Sequence, residues 1–343
     1  MLEIYRDFEL ITMEPIFTDF FWRRRFSRPG EFQLTTAFSR EAWEYFKPYD
    51  PRRPNEPGHV IYKRDVDEAA FIESRNVVDT IDNETMLIVR GRFLPSVLDR
   101  RQLTLAGNFT LQSLLSNIIN NNFLAGAGSF RSMAGHMRLL PFTIPLVNVS
   151  VEYQRRNVYE AVTALLEESR IGLRANYNFA TRTIDISFYE PVKTDVTFSK
   201  QFANIIEQDY RDDIEMYKNV VYVEDRLIHN DSTHRGFNRR EIAVSAPRQG
   251  ESTTLTQTAL DALNENRAIR TISSVVNPYN NQFEYLKDWT IGSEVLSESR
   301  QLGFSEREVI TEITEFYDAS GMNLEVITGD YIERGNRRVR YHR

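Results

Sequence analysis

Thr85-Met86-Leu87-Ile88-Val89-Arg90-Gly91-Arg92-Phe93-Leu94 alternates residue by residue, with Leu87, Val89, Gly91 and Phe93 on one parity and Arg90 and Arg92 on the other. Successive side chains of an extended strand point to opposite faces, so this two-residue period predicts a strand with one core-directed face. The same period recurs upstream over residues 3–12, 17–25, 30–38, 59–64 and 69–80. The first hundred residues therefore predict an antiparallel β unit, its last hairpin closed by the turn residues Asp82-Asn83-Glu84. Between the strands, Pro48, Pro51, Pro54 and Pro57 remove backbone donors and fix φ, so residues 47–58 form an exposed excursion, neither helix nor ladder.

The period then changes. Leu111, Leu114, Leu115, Ile118 and Ile119 follow the spacing of one helical face, and Asn120-Asn121-Asn122 ends that helix. Asn157 predicts the cap of a second helix, with Glu160 three residues on, Val158, Ala161, Val162, Leu165 and Leu166 as its buried stripe, and Gly172 at its C-terminus. Residues 173–177 and 183–189 alternate again, so this helix is expected to pack on a hairpin. Strands return at 205–208, 219–224 and 241–245, a helix at 256–267, and a closing hairpin has arms 308–317 and 322–328 around Asp318-Ala319-Ser320-Gly321. The reading is mainly β with an α+β insert, divided at 1–106, 107–200 and 201–343. The β, α+β, β outline raises the idea of two similar β units flanking the insert.

Composition removes several function classes. The 343 residues include no cysteine, which excludes disulfide scaffolds, Cys-ligated metal and thiol nucleophiles. Residues 1–8 carry charges and no apolar core, so no secretory signal is expected, and no apolar run reaches the length of a membrane span. A net charge of −7 disfavours general nucleic-acid binding. One segment opposes this balance: Arg334, Arg337, Arg338, Arg340 and Arg343 against Glu333 give +4 and leave −11 for the rest. These five arginines are the candidate interaction residues, read either as a frayed basic terminus or as a docking tail for an acidic partner surface.

No catalytic, cofactor or metal site is expected. His229, His234 and Asp231 lie in a polar stretch without the spacing of a metal motif, and no Gly-x-Ser-x-Gly elbow occurs. Ser129 follows Gly126-Ala127-Gly128 within a Gly-rich segment, 125–135, that lacks the preceding strand and the lysine of a phosphate loop. The carboxylate groups Asp65/Asp67/Glu68 and Asp209/Asp212/Asp213/Glu215 read as solvated turns and faces. Arg23-Arg24-Arg25, Arg100-Arg101, Arg155-Arg156 and Arg239-Arg240 read as ion-pair partners between subunits.

Several ordered segments resemble a known group: Pro29-Gly30-Glu31-Phe32-Gln33-Leu34, residues 87–101 (Leu-Ile-Val-Arg-Gly-Arg-Phe-Leu-Pro-Ser-Val-Leu-Asp-Arg-Arg), Ile171-Gly172-Leu173 after its capped helix, Val196-Thr197-Phe198-Ser199 continuing to Asn204-Ile205, Asn219-Val220-Val221-Tyr222-Val223, Trp289-Thr290-Ile291-Gly292-Ser293-Glu294-Val295 and Val309-Ile310-Thr311-Glu312-Ile313. Together they resemble bacteriophage tail-hub proteins of the siphophage Gp37-like group. The resemblance implies a structural virion protein, not an enzyme, with two tail-tube-like β-barrel domains plus a smaller α+β domain. It implies a homotrimer that adapts a sixfold tube to a threefold spike or tail tip. The implied partners are a tail tube or distal tail protein and a spike or tail-tip protein, with DNA only as passing cargo. The 47–57 excursion and the arginine-rich end stand outside that pattern. An alternative is a carbohydrate-active or glycan-binding tail protein, motivated by 12% aromatic residues and abundant acids, although Trp22, Trp43 and Trp289 are scattered.

Overall fold

The computed structural model describes residues 2–13, 15–79, 84–246, 254–277, 282–319 and 321–330. The fold is mainly β. β1 (Leu2–Arg6) and β2 (Glu9–Met13) form a hairpin where alternation alone predicts one strand. Asp7 and Phe8 both take positive φ, 49° and 64°, and a two-residue reversal of this kind leaves the period intact while it turns the chain. β3 (Asp19–Arg25), β4 (Glu31–Ala37), α1 (Arg40–Tyr45), β5 (Val60–Lys63), β6 (Glu68–Asp79) and β7 (Thr85–Phe93) follow. The six-residue α1 is too short for a period to reveal; Ser39 caps it by accepting the Ala42 N–H at 2.9 Å.

After a 3₁₀ turn at Leu94–Arg100 come β8 (Gln102–Thr110), α2 (Leu111–Phe123), β9 (Met137–Leu139), β10 (Asn148–Asn157), α3 (Val158–Ser169), β11 (Gly172–Asn178) and β12 (Thr183–Tyr189). The apolar stripes of α2 and α3 share one core with Leu173, Ala175, Tyr177, Ile184, Ile186 and Phe188 of the β11–β12 hairpin, as expected. Asn157 caps α3, but α3 ends on Arg170, φ 53°, and not on Gly172. Gly172 opens β11 instead. There a Cβ would come within 2.5 Å of the Phe26 and Tyr189 rings, so packing space, not left-handed backbone, calls for glycine.

The last unit holds β13 (Val192–Phe198), β14 (Ile205–Asp213), β15 (Val220–Val223), β16 (Arg226–Asn230), β17 (Glu241–Val244), α4 (Leu255–Glu265), β18 (Ile269–Val276), β19 (Ser293–Ser299), β20 (Phe304–Asp318) and β21 (Gly321–Gly329). β16-β15-β17 form a small sheet whose Val221 and Val223 pack on Ala259 and Ala262 of α4. The other strands join the first unit in one sheet, ordered β14-β18-β21-β20-β3-β4-β7-β6-β5-β1-β2, with β13 and β19 attached beside β20. The positions 106 and 200 fall inside β8 and inside a 3₁₀ turn at Lys200–Phe202.

An internal repeat organises this sheet. β3, β4, β5, β6 and β7 have the same chain order as β14, β18, β19, β20 and β21, and the same pairings: first with second, second with fifth, fifth with fourth, fourth with third. Both fourth strands carry a one-residue bulge, at Glu73 in β6 and Thr311 in β20. Leu87 and Val89 of β7 correspond to Leu324 and Val326 of β21, and all four are fully buried. The two units meet where β3 pairs with β20, from Glu312↔Arg25 to Tyr317↔Phe20.

Candidate assembly site

Strand parity decides what reaches the joint. Along β3, Phe20, Trp22 and Arg24 point into the core while Arg23 and Arg25 share the opposite face. A guanidinium on a core-directed position must be paired to be tolerated. Arg24, 4% exposed, grips Glu68 of β6 through Nε (3.0 and 2.9 Å) and Nη2 (2.8 Å), and its Nη1 donates to the Tyr285 hydroxyl (3.0 Å) and Thr290 Oγ1 (2.9 Å). Trp22 Nε1 donates to the same Glu68 at 3.1 Å.

The chain of contacts then crosses to the second unit. Tyr285 donates to Glu315 Oε1 of β20 at 2.8 Å, Tyr317 donates to Oε2, and Lys63 Nζ of β5 lies 2.8 Å from that oxygen. Lys63 also pairs with Asp65. Burial, more than any neighbouring charge, pushes the Tyr285 and Tyr317 hydroxyls above the usual phenol range, which keeps both protonated as donors. On the other sheet face Arg23 and Arg25 share Glu31 (2.6 and 2.9 Å) and reach Glu312 (3.5 and 3.0 Å). Burial works against the Glu31 charge, yet Arg25 and Arg23 hold its carboxyl below the ordinary range. Every carboxylate of this group has a cation against it. The arrangement orients two β units; it offers no free acid, base or nucleophile to a substrate.

The arginine runs mostly find partners within the chain. Besides Arg23-Arg24-Arg25, Arg156 pairs with Asp261 at 2.9 Å and ties α4 to β10, Arg239 pairs with Glu241 at 2.6 Å, and Arg100 lies 4.5 Å from the Phe71 ring. The reading of these runs as contacts between subunits is corrected for those residues, because parity and strand register bring carboxylates and rings of the same chain to them. Glu68 is likewise half-buried and bonded by Arg24 and Trp22, and not a solvated turn acid. His234 Nδ1 lies 2.8 Å from Asp231, whereas His229 sits in β16. Among the described residues no His, Asp and Glu group is arranged to hold a metal ion.

Trp22 and Trp289 are buried and Trp43 is stacked by the Arg75 guanidinium at 3.5 Å, so the three tryptophans serve cores and not a sugar platform. Two clefts flank the β3–β4 turn and share Arg25 and Arg28, the latter bonded to Glu167 of α3 at 2.9 Å. Arg334, Arg337, Arg338, Arg340 and Arg343 lie outside the described residues, beyond β21. The joint residues Lys63, Tyr285 and Glu315 escaped the sequence reading; the available signal was charge on core parity in residues 59–64 and 308–317.

The comparisons follow this geometry. The family model described as Siphovirus ReqiPepy6 Gp37-like protein matches residues 3–330. The chain belongs to this family. It is therefore a phage tail protein of the virion tail, and the family and its structural neighbours are structural proteins. Its fold is similar to that of a prophage MuSo2 43 kDa tail protein from Shewanella oneidensis, with a TM-score of 0.55 at 12% identity, covering 96% of this chain and 98% of that one. A tail protein from Neisseria meningitidis MC58 gives 0.54 at 12% identity, covering 96% of each chain. Prophage tail protein gp18 from Listeria monocytogenes EGD-e gives 0.52 at 13% identity, covering 97% of this chain and 95% of that one. No curated protein matches the sequence. Among the described residues no helix of this family member is long and apolar enough to cross a membrane.

Proposed function

We propose that this tail protein is a baseplate or tail-tip hub: a homotrimeric ring that joins a sixfold tail tube to a threefold spike or tip and leaves a central conduit. The observation that carries the reading is the internal repeat. Each chain holds two β units of the same strand order, fixed to each other by the Arg24–Glu68 and Lys63–Glu315 contacts, and three such chains supply six units. An α+β unit between them, near residues 107–200, adds the asymmetry that a threefold partner can read. A net charge of −7 favours a conduit wall that repels DNA phosphates. The basic segment holding Arg334, Arg337, Arg338, Arg340 and Arg343 is proposed to dock on an acidic neighbour, a second subunit or a spike protein. Light scattering of the full chain and electron microscopy of assembled tails test the reading. Three copies in a ring at the distal end of the tube are expected; a chain that is monomeric in solution and absent from the tail end overturns it.

A further inference from the structure

The repeat leaves one position filled in the second unit and open in the first. β20 pairs with β19 over residues 304–309 and, beyond its bulge, has β21 on one edge and β3 on the other over residues 312–317. β6 pairs with β5 over residues 68–71 and, beyond its bulge, has β7 on one edge and, among the described residues, no strand on the other. The repeat partner of β3 is β14, which ends the sheet with only β18 beside it. Six strands separate β14 from β6 in the sheet order, and among the described residues the two edges are not paired within the chain.

We infer that β14 of one copy pairs antiparallel with residues 74–79 of β6 in the next copy, repeating between chains the β3–β20 joint made within each chain. The inference rests on the hub reading and names the contact that closes its ring. Register follows from the bulges: Ile72↔Gly91 matches Ile310↔Thr328, and stepping through β4 and β18 brings Arg211 to the place of Arg23. Thr314↔Arg23 then becomes Asn76↔Arg211, Ile313↔Arg24 becomes Arg75↔Asp212, and Glu315↔Trp22 becomes Val77↔Tyr210.

The side chains suit these places. Arg75, held over Trp43, gains a carboxylate opposite it, and Val77, 40% exposed, gains the Tyr210 ring. Gln208 Nε2 on β14 is buried and, among the described residues, has no hydrogen-bond partner. A head-to-tail contact between two different edges of one chain generates a closed ring when its rotation closes, and covering both edges removes templates for aggregation.

The absence of native cysteine permits a direct test. Asn76→Cys with Arg211→Cys places two thiols directly opposite across an antiparallel pair, within disulfide reach. Oxidation of the full-length double variant is expected to yield covalent oligomers up to the closed ring, while each single variant stays uncrosslinked. As a second measurement, Val77→Pro, at a position whose N–H faces the open edge because its β7 partner Leu87 bonds to β4, is expected to retain the native circular dichroism and lose the oligomer. Native oligomers in which Thr12→Cys with Arg211→Cys crosslinks instead assign β14 to β2 and overturn this pairing while the hub reading stands. Native oligomers in which neither pair links also overturn it. A chain that never oligomerises overturns the pairing and the hub reading together.

Discussion

Lys63 of β5 and Glu315 of β20 form an ion pair of 2.8 Å with side chains only 2% and 0% exposed, although 252 positions of sequence separate them. They belong to different β units. Removing one partner of a buried pair strands the other charge, and such changes cost about 3–5 kcal/mol. Lys63→Met is therefore expected to lower the free energy of unfolding by about that amount in urea titration. The double variant Lys63→Met with Glu315→Met is expected to recover most of the loss; equal destabilisation by single and double variants contradicts this account.

His59 and Asp185 contribute to the acid side of stability in two windows, Asp185 together with other carboxyls held low such as Glu31 and Asp99. Burial pushes the His59 imidazole below its ordinary range, while its Nδ1 lies 2.7 Å from the Tyr45 carbonyl. The unfolded chain then binds a proton that the folded chain refuses, so this contribution is complete above about pH 6.5 and declines as pH falls below it. Burial opposes the Asp185 charge, but Arg138, Thr183 and Asn178 hold its carboxyl below the usual range. Its contribution is present above about pH 4 and is lost below that value. Melting temperature against pH is expected to fall in these two windows, and His59→Gln is expected to flatten the first alone.

Gly91 of β7 stands opposite the β6 bulge, where a Cβ would lie 1.8 Å from the Phe71 carbonyl oxygen and 2.8 Å from the Phe32 ring. The close neighbour is backbone, which cannot swing away. Gly91→Ala is expected to destabilise by about 1–3 kcal/mol or more in the same titration, whereas Gly135→Ala, with nothing within 4 Å of the added carbon, is expected to be close to neutral.

Deleting residues 334–343 removes five arginines that lie beyond β21. Exposed ion pairs contribute about 0–1 kcal/mol each, so the deletion is expected to leave the melting temperature nearly unchanged. Incorporation into tails is expected to weaken, most clearly at raised ionic strength, as quantified by immunoblot of purified particles. A marked fall in melting temperature, or normal incorporation at every salt concentration, contradicts a docking role.

Alternation along residues 17–25, 30–38 and 85–94 determined the strands of the first unit, and helical spacing determined α2 and α3, because each period is a local property of the chain. The Asp7-Phe8 reversal escaped alternation, since a two-residue turn preserves the period. β16 and α1 escaped it because they are short and polar. Composition excluded disulfides and thiol chemistry outright. The tertiary structure alone decided that β3 meets β20, that Arg24 finds Glu68, and that Lys63 finds Glu315. Those pairs depend on register between distant segments, and a charged residue on core parity becomes tolerable only when the fold delivers its counter-charge. The repeat of β3 to β7 in β14 and β18 to β21 is likewise one of strand order and bulge position. Different side chains fill the same places, so it is written in geometry and not in residue identity.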